Sequence, residues 1–515
     1  MSFWKRVSSR PRSLSFLVLL SFGSICGGQD VLTYHNNNAR NGQNSRETIL
    51  TLSNVNATTF GKLFTIPVDG KVDAQPLYLS GVATSSGTHN LLIVATEHDS
   101  VYAFNADTGV NIWHIRTLKP GEVTSDNRGC SQVTPEIGVT STPVISRPVA
   151  NNGVIYAVSM SKDTTGHYHQ RLHALDAATG KELYKGPVEI QARFPGTGDN
   201  SSGGFVIFDP AQYKERSALL LLNGTVYLSF ASHCDISPYT GWIMGYNATT
   251  LVQSTVINIT PNGEKGAFWS SGAGLAADND SNIFGLAGNG TFDATLNAKG
   301  FPSEGDYGNA FLKLNSKGGL AVLDYFEIDN ERSENNGDVD LGSGGALVLP
   351  AMTDSSGKSW QLAVGAGKDS NLYVVNRANM GKFNANSNSI YQELVSVLPG
   401  GLFSMPAYAN GKLYFGPVNS PLLAFQFSNA KLLPAAVAQS SNSFIYPGAT
   451  PSISSNAGAN AILWATENGA TAVLYAYNAS NLHELYNSNQ APNGRDLGGW
   501  PIASTDTSYT NRPDR

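Results

Sequence analysis

Charge is scarce in this 515-residue chain: 14% of its residues are Asp, Glu, Lys or Arg, and the 33 basic ones are scattered under a formal net charge of -6. With no basic field to meet a phosphate backbone, nucleic acid is excluded as a partner. Cysteine is rarer still, at three residues. Long hydrophobic runs are limited to one, "LSFLVLLSFGSI" from Leu14 to Ile25, which follows Lys5, Arg6, Arg10 and Arg12 and precedes the small residues of "CGGQ". That run is short of the ~20 residues a spanning helix needs, and its flanks are those of a secretory signal peptide. Residues 1-28 are therefore read as a signal, the mature chain as having no membrane span, and the destination as secreted or periplasmic. Against those absences stand 53 glycines and 41% hydrophobic residues, a composition of short strands and many turns rather than of charged helices.

The turns repeat. "VYAFNADTGVNIW" (Val101 to Trp113) is a strand, a polar turn and a second strand, and the same pattern returns with Asn105, Asp176, Asn247, Asn315, Asn376, Gln426 and Asn478 at the anchor position, 50 to 71 residues apart. An Asp or Asn there can close the turn onto the backbone ahead of it. Each copy is preceded by an apolar run such as "NLLIVATE" or "GVIYAVSM", and before that by a run often led by proline, as in "AQPLYL", "TSTPVIS", "FSMPAYA" and "ATPSIS". Proline cannot donate to a ladder, so such a strand should have one unpaired edge. A four-stranded blade whose first strand lines an axial channel provides that edge. The expected fold is all-β, a β-propeller over residues 61-490, with residues 29-60 as a lead-in and 491-515 as an irregular tail. Seven repeats are recognisable. "GKLFTIPVD" (Gly61 to Asp69) looks like a fourth strand without its first three, which suggests an eight-position ring with an incomplete last blade; if "AYNASNLHELYN" takes that strand directly, the ring has seven.

The turn motif Ala103, Asn105, Thr108, Gly109, Trp113, repeated as Ala174, Asp176, Thr179, Gly180 with Tyr184 in the Trp place, resembles the tryptophan-docking repeat of the pyrroloquinoline quinone (PQQ) dehydrogenase superfamily. The resemblance implies PQQ and Ca²⁺ as cofactors and an alcohol or sugar as substrate. Two departures stand beside it. Quinoprotein alcohol dehydrogenases typically carry two adjacent, mutually bonded cysteines, whereas Cys130 stands alone, and no segment matches their calcium-ligand contexts. The superfamily also contains cofactor-free scaffolds, so a propeller binding a protein or polysaccharide through its rim remains the alternative.

In a blade, the end of the second strand and the start of the first meet at one mouth of the channel. Residues at those places are the site candidates: His233 and Asp235 for proton transfer, Lys368, Asp369 and Trp269 for the cofactor, Glu136 and Asn289 for the metal. Once the signal is removed, Cys130 and Cys234 are the remaining cysteines; both should reach this mouth from neighbouring blades and form a disulfide. His167, His169 and His173 share a strand face, but the stretch lacks a nearby carboxylate and reads as a solvated rim.

Overall fold

The computed structural model describes residues 29-148, 152-469 and 471-497; residues 1-28, expected to be a signal, and tail residues 498-515 lie outside it. The protein is a β-propeller of seven complete four-stranded blades. Blade 1 runs Leu77–Thr84, Gly87–Thr96, Ser100–Asn105 and Asn111–Arg116, hydrogen-bonded in that order and antiparallel throughout. Blades 2 to 6 follow over residues 144-189, 220-258, 276-326, 347-394 and 407-444, and blade 7 ends the series with Ser452–Asn456, Ala459–Asn468, Ala472–Asn478 and His483–Asn487. Pro76, Pro143, Pro406 and Pro451 each stand at or just before the innermost strand of a blade, where no neighbour asks for their missing N–H.

The repeated anchor works as an Asx turn. The side-chain oxygens of Asn105, Asp176, Asn247, Asn315, Asn376 and Asn478 each accept a hydrogen bond from the backbone N–H two residues on, at 2.9 to 3.1 Å. Gln426 departs from this: one methylene longer, it turns back and donates to the carbonyl of Gly411 at 2.9 Å. Even the irregularities repeat, since blades 1, 3, 4 and 7 carry a β-bulge at equivalent places between third and fourth strands.

Blades are stapled through these turns. Trp113 donates its indole N–H to the carbonyl of Ala177 at 2.9 Å, and Gly180 (φ +70°) leaves room for the indole, which a Cβ there would approach to 2.7 Å. Tyr184, the expected stand-in, is 36% exposed where Trp113 is 8% exposed. The hydroxyl of Tyr156, from the second strand of blade 2, donates instead to the carbonyl of Ala248 at 2.7 Å. Tyr414 does the same to Ala479 at 2.8 Å.

The inner edges do not stay unpaired. Residues 31-44 of the lead-in run around the channel and meet every blade in turn: Val31 pairs with Tyr78, Leu32 accepts from Ile145, Asn38 from Ala277, Ala39 from Val348, Asn41 from Tyr408 and Gly42 from Ile453. Gln43–Asn44 then adds a parallel strand to blade 7. At blades 3 and 4, buried Arg40 donates to the carbonyls of Leu219 and Leu275 at 3.0 and 2.9 Å. The lead-in is thus an axial plug that pairs with the inner strands of the blades.

Leu63 to Val68 forms no strand. Beside it, Lys62 donates its backbone N–H to Asp496 at 2.9 Å and Arg495 reaches the Phe60 carbonyl at 2.6 Å, while Ile66 and Val68 pack on Val94, Tyr102 and Phe104 of blade 1. His483–Asn487 supplies the fourth strand of blade 7. The interval between blades 7 and 1 therefore holds extended chain rather than a sheet among the described residues.

Candidate functional site

Where the lead-in does not reach, the residues just before the first strands converge with those ending the second strands. Blades 4 and 5 contribute the densest group. Lys368 Nζ lies 2.7 Å from Asp340 and 3.1 Å from Asp338. Asn289 donates its backbone N–H to Asp340 Oδ1 at 2.6 Å and its amide to Asp338 at 3.2 Å, and its own side-chain oxygen is buried without a hydrogen-bond partner. Burial lifts the Asp340 carboxyl, and the Lys368 ammonium pulls it back only part of the way, leaving it above the ordinary range. Burial alone would lower Lys368, but the charges and hydrogen bonds of Asp340 and Asp338 together outweigh it and hold the ammonium above its usual value.

Trp269, at the start of blade 4's inner segment, brings the blades together. Its ring centroid is 5.5 Å from Lys368 Nζ and 5.3 Å from the Arg216 guanidinium of blade 3. Phe403 of blade 6 lies 6.0 Å away, and Tyr446 of blade 7 is 5.4 Å beyond that. Arg216 is only half-buried and makes no ion pair or hydrogen bond among the described residues. An indole face between two cations suits an anionic, planar partner.

The facing wall comes from blade 1. Lys71 holds Asp73 at 2.8 Å. Glu97, fully buried, accepts from Gly138 N–H and Thr140 Oγ at 2.9 Å each. Burial, then the neighbouring Asp73 charge, pushes Glu97 well above the carboxylate range. Burial raises Asp73 too, but Lys71 and the Glu97 hydrogen bond bring it below its ordinary value, and Arg216 adds to that from blade 3.

The candidates read from sequence divide. Trp269, Lys368 and Asn289 come together. Asp369 does not join them: it accepts from Tyr373 at 2.5 Å and Asn371 N–H at 3.2 Å inside its own hairpin. Glu136 and Asn289 do not form one metal site, because Glu136 is bound by His98 at 2.8 Å and Thr124 at 2.7 Å between blades 1 and 2. His233 is 3% exposed, with neither ring nitrogen in a hydrogen bond of normal geometry. Burial, reinforced by the Lys214 and Arg128 cations, lowers its pKa to about 3, too weak a base for proton abstraction near neutrality. Asp235 is held by Ser232 and Tyr239 at 3.0 and 2.7 Å. Cys130 and Cys234 are bonded, with Cα atoms 5.6 Å apart. The three histidines do have carboxylates: His173 meets Glu182 at 2.5 Å, His169 lies between Asp163 and Glu189 at 3.4 Å each, and His167 is 3.7 Å from Asp163. Asp163 thus serves both His167 and His169, and no cluster of three or more His, Cys, Asp or Glu suited to a metal occurs among the described residues. Asp338, Asp340, Asp73 and Arg216 were not singled out from sequence. Their signal was position: each precedes an inner-strand run, as Trp269 does.

The fold is a β-propeller of seven four-stranded blades with an indole at one mouth and the lead-in plug toward the other. Among solved structures the chain is similar to the quinohemoprotein alcohol dehydrogenase from Comamonas testosteroni (TM-score 0.60, 14% identity, 89% of this chain and 72% of that one). A quinohemoprotein alcohol dehydrogenase from Pseudomonas putida HK5 is similar at TM-score 0.59 and 14% identity, over 89% of this chain and 72% of that one. A europium-containing methanol dehydrogenase is similar at TM-score 0.55 and 12% identity, over 89% and 85%. No family model matches the sequence, and no curated protein matches it. These likenesses establish the fold. No helix among the described residues is long and apolar enough to cross a membrane.

Proposed function

We propose that the open mouth binds an anionic planar quinone of the PQQ class, and that the protein, exported from the cytoplasm, uses it to oxidise an alcohol or sugar. The observation that carries this reading is the Arg216 guanidinium, without an ion pair among the described residues, 5.3 Å from the Trp269 ring, with Lys368 as a second cation at 5.5 Å. The residues fit such a group. Trp269 offers the stacking face, Arg216 and Lys368 the charges for its carboxylates and carbonyls. The orphaned Asn289 oxygen with the Asp338 and Asp340 carboxylates is an oxygen donor set suited to a hard cation such as Ca²⁺. When bound, PQQ with its cation supplies a two-electron acceptor. The chain's own part is to hold and to deprotonate. Asp340, fixed by the Asn289 N–H and Lys368, is placed to take the proton of a substrate hydroxyl, and the Phe403 and Tyr446 rings narrow the mouth against water.

The test is a titration of purified protein with PQQ in the presence of Ca²⁺, following tryptophan fluorescence and reduction of an artificial electron acceptor. Wild type should bind at micromolar concentration, with Arg216→Ala and Trp269→Ala each about tenfold weaker or worse, a loss near 1.4 kcal/mol. Absence of binding by the wild type would remove the enzyme reading and leave a rim-binding scaffold.

A further inference from the structure

Away from the mouth, one cavity has walls whose chemistry selects a ligand. It encloses about 400 Å³, within the roughly 300–1,000 Å³ of small-molecule sites. Three pieces of chain meet there: the lead-in at Asn37 to Ala39, the turn after the first strand of blade 3 at Leu222 and Asn223, and the corresponding turn of blade 4 at Ala277 to Asn279. Trp269 precedes and Asn289 follows the two blade 4 strands that this turn joins, so both lie toward their other ends. Asn38 gives its amide N–H to the carbonyl of Leu221 at 2.8 Å. A carbonyl can only accept, so the Asn38 nitrogen is fixed and its Oδ1 is left to accept. Asn223, left-handed at φ +50°, donates to Ser281 Oγ at 2.7 Å, and the Ser281 hydroxyl hydrogen remains to be donated in turn. Asn279 is exposed, and its amide makes no hydrogen bond among the described residues. The one charged residue in the lining, Asp278, is already spent. Its Oδ2 pairs with Arg377 at 2.7 Å, and its Oδ1 accepts from the Asp280 and Asn282 N–H groups at 3.0 and 2.9 Å. The backbone is spent as well, since Ala277 N–H goes to Asn38 O at 2.6 Å and Val348 N–H to Ala39 O at 3.0 Å.

An ion entering this cavity would find no counter-charge. An apolar molecule would strip water from the amides and the hydroxyl without replacing its hydrogen bonds. An extended peptide would find no strand edge to join. A neutral molecule with several hydroxyls meets every wall: it donates to the Asn38 and Asn223 oxygens, accepts from Ser281 and Asn279, and lays its C–H face on Leu222 and Ala39. We propose that the cavity binds one neutral sugar unit of a glycan, as a contact separate from any reaction at the mouth and independent of the quinone reading. The experiment is saturation-transfer NMR on the purified protein, with the methyl glycosides of glucose, galactose, mannose and N-acetylglucosamine as probes. At least one of them should bind, and cyclohexylmethanol and D-glucuronate should not. Asn279→Ala removes an amide that no protein group uses. It should weaken the glycoside about tenfold and leave the urea midpoint and the PQQ titration as in wild type. Trp269→Ala should keep the glycoside signal. No transfer to any of these glycosides at millimolar concentration would overturn the proposal, as would equal binding of cyclohexylmethanol, or a signal lost in Trp269→Ala and kept in Asn279→Ala. Glycoside binding through Asn279 in a protein that does not take PQQ would sink the quinone reading and uphold this site.

Discussion

Arg40 holds the axis of the ring, and its removal tests whether the lead-in is structural. The side chain is fully buried and donates to four oxygens: Leu275 O at 2.9 Å, Thr33 Oγ at 2.7 Å, Tyr34 O at 2.9 Å and Leu219 O at 3.0 Å. No carboxylate forms an ion pair with it among the described residues, and burial lowers its pKa to about 10, so it is still charged at neutral pH. Arg40→Met keeps the length and removes both the charge and the donors. Relief of the buried charge works in favour of the variant. Against it, each acceptor left unsatisfied costs ~1–3 kcal/mol, and losing one member of a buried charged network costs ~3–5 kcal/mol in comparable cases. Four acceptors on three different stretches of chain outweigh one relieved charge, and we expect a net loss of about 3 kcal/mol or more. Arg40→Lys retains the charge but cannot reach acceptors on opposite sides, and should lose nearly as much. The assay is urea unfolding followed by tryptophan fluorescence, with limited proteolysis of the lead-in in native buffer. Both variants should have a lower urea midpoint and faster cleavage before residue 60. An Arg40→Met protein within 1 kcal/mol of wild type would show that the seven inner strands hold the ring unaided, and the plug would lose its structural role.

The blades were legible because their cause is local. An Asn or Asp followed by two turn residues closes on its own backbone wherever it falls, which is why six of the seven anchors behave alike and only Gln426, with its extra methylene, does not. The plug was illegible for the converse reason. Residues 31-44 have no period, since each meets a different strand, and their partners lie as far away in sequence as Ile453. The site falls between these cases. Trp269, Asn289 and Lys368 were found by their position at strand ends, but Glu136 and Asp369 occupy similar positions and are consumed by His98 and Tyr373. Whether such a polar group turns to the axis or to a neighbour depends on which partner the adjacent blade presents, and sequence does not show that. Asp338 and Asp340 were passed over inside "NNGDVDLGSGG", which reads as a loop until Lys368 from the next strand pair is placed 2.7 Å from Asp340.

Three further perturbations follow from the packing. Replacing Cys130 and Cys234 by Ser opens a link between residues 104 apart in sequence, worth up to ~4.7 kcal/mol in the loop-entropy model; the melting temperature should drop, and equal melting of the two proteins would count against the bond. Gly180→Ala puts a Cβ 2.7 Å from Trp113 at a φ of +70°, which should cost ~1–3 kcal/mol and red-shift tryptophan emission; an unchanged spectrum and midpoint would refute the docking role. Glu334 gives the sharpest test, because its sign is fixed by linkage. It lies on the short helix Glu331–Asn336, 7% exposed, with Asn309 as a marginal donor at 3.5 Å. Burial, then the charge of Asp369, raises its pKa to about 8. Below the unfolded-state value both states hold the proton and pH has no effect through this group. Between there and about 8 the unfolded chain ionises while the native protein does not, so stability falls with rising pH at up to ~1.4 kcal/mol per unit, and above 8 the penalty is constant. Glu334→Gln has no such proton to keep, and Glu327, also raised by burial, is present in both proteins. The variant's stability advantage over wild type should therefore grow from about pH 5 to about pH 8 by roughly 3 kcal/mol and then level off. Urea midpoints measured across that range decide it: parallel curves for the two proteins would mean that Glu334 ionises freely in the native state, and that the interval between blades 4 and 5 admits water.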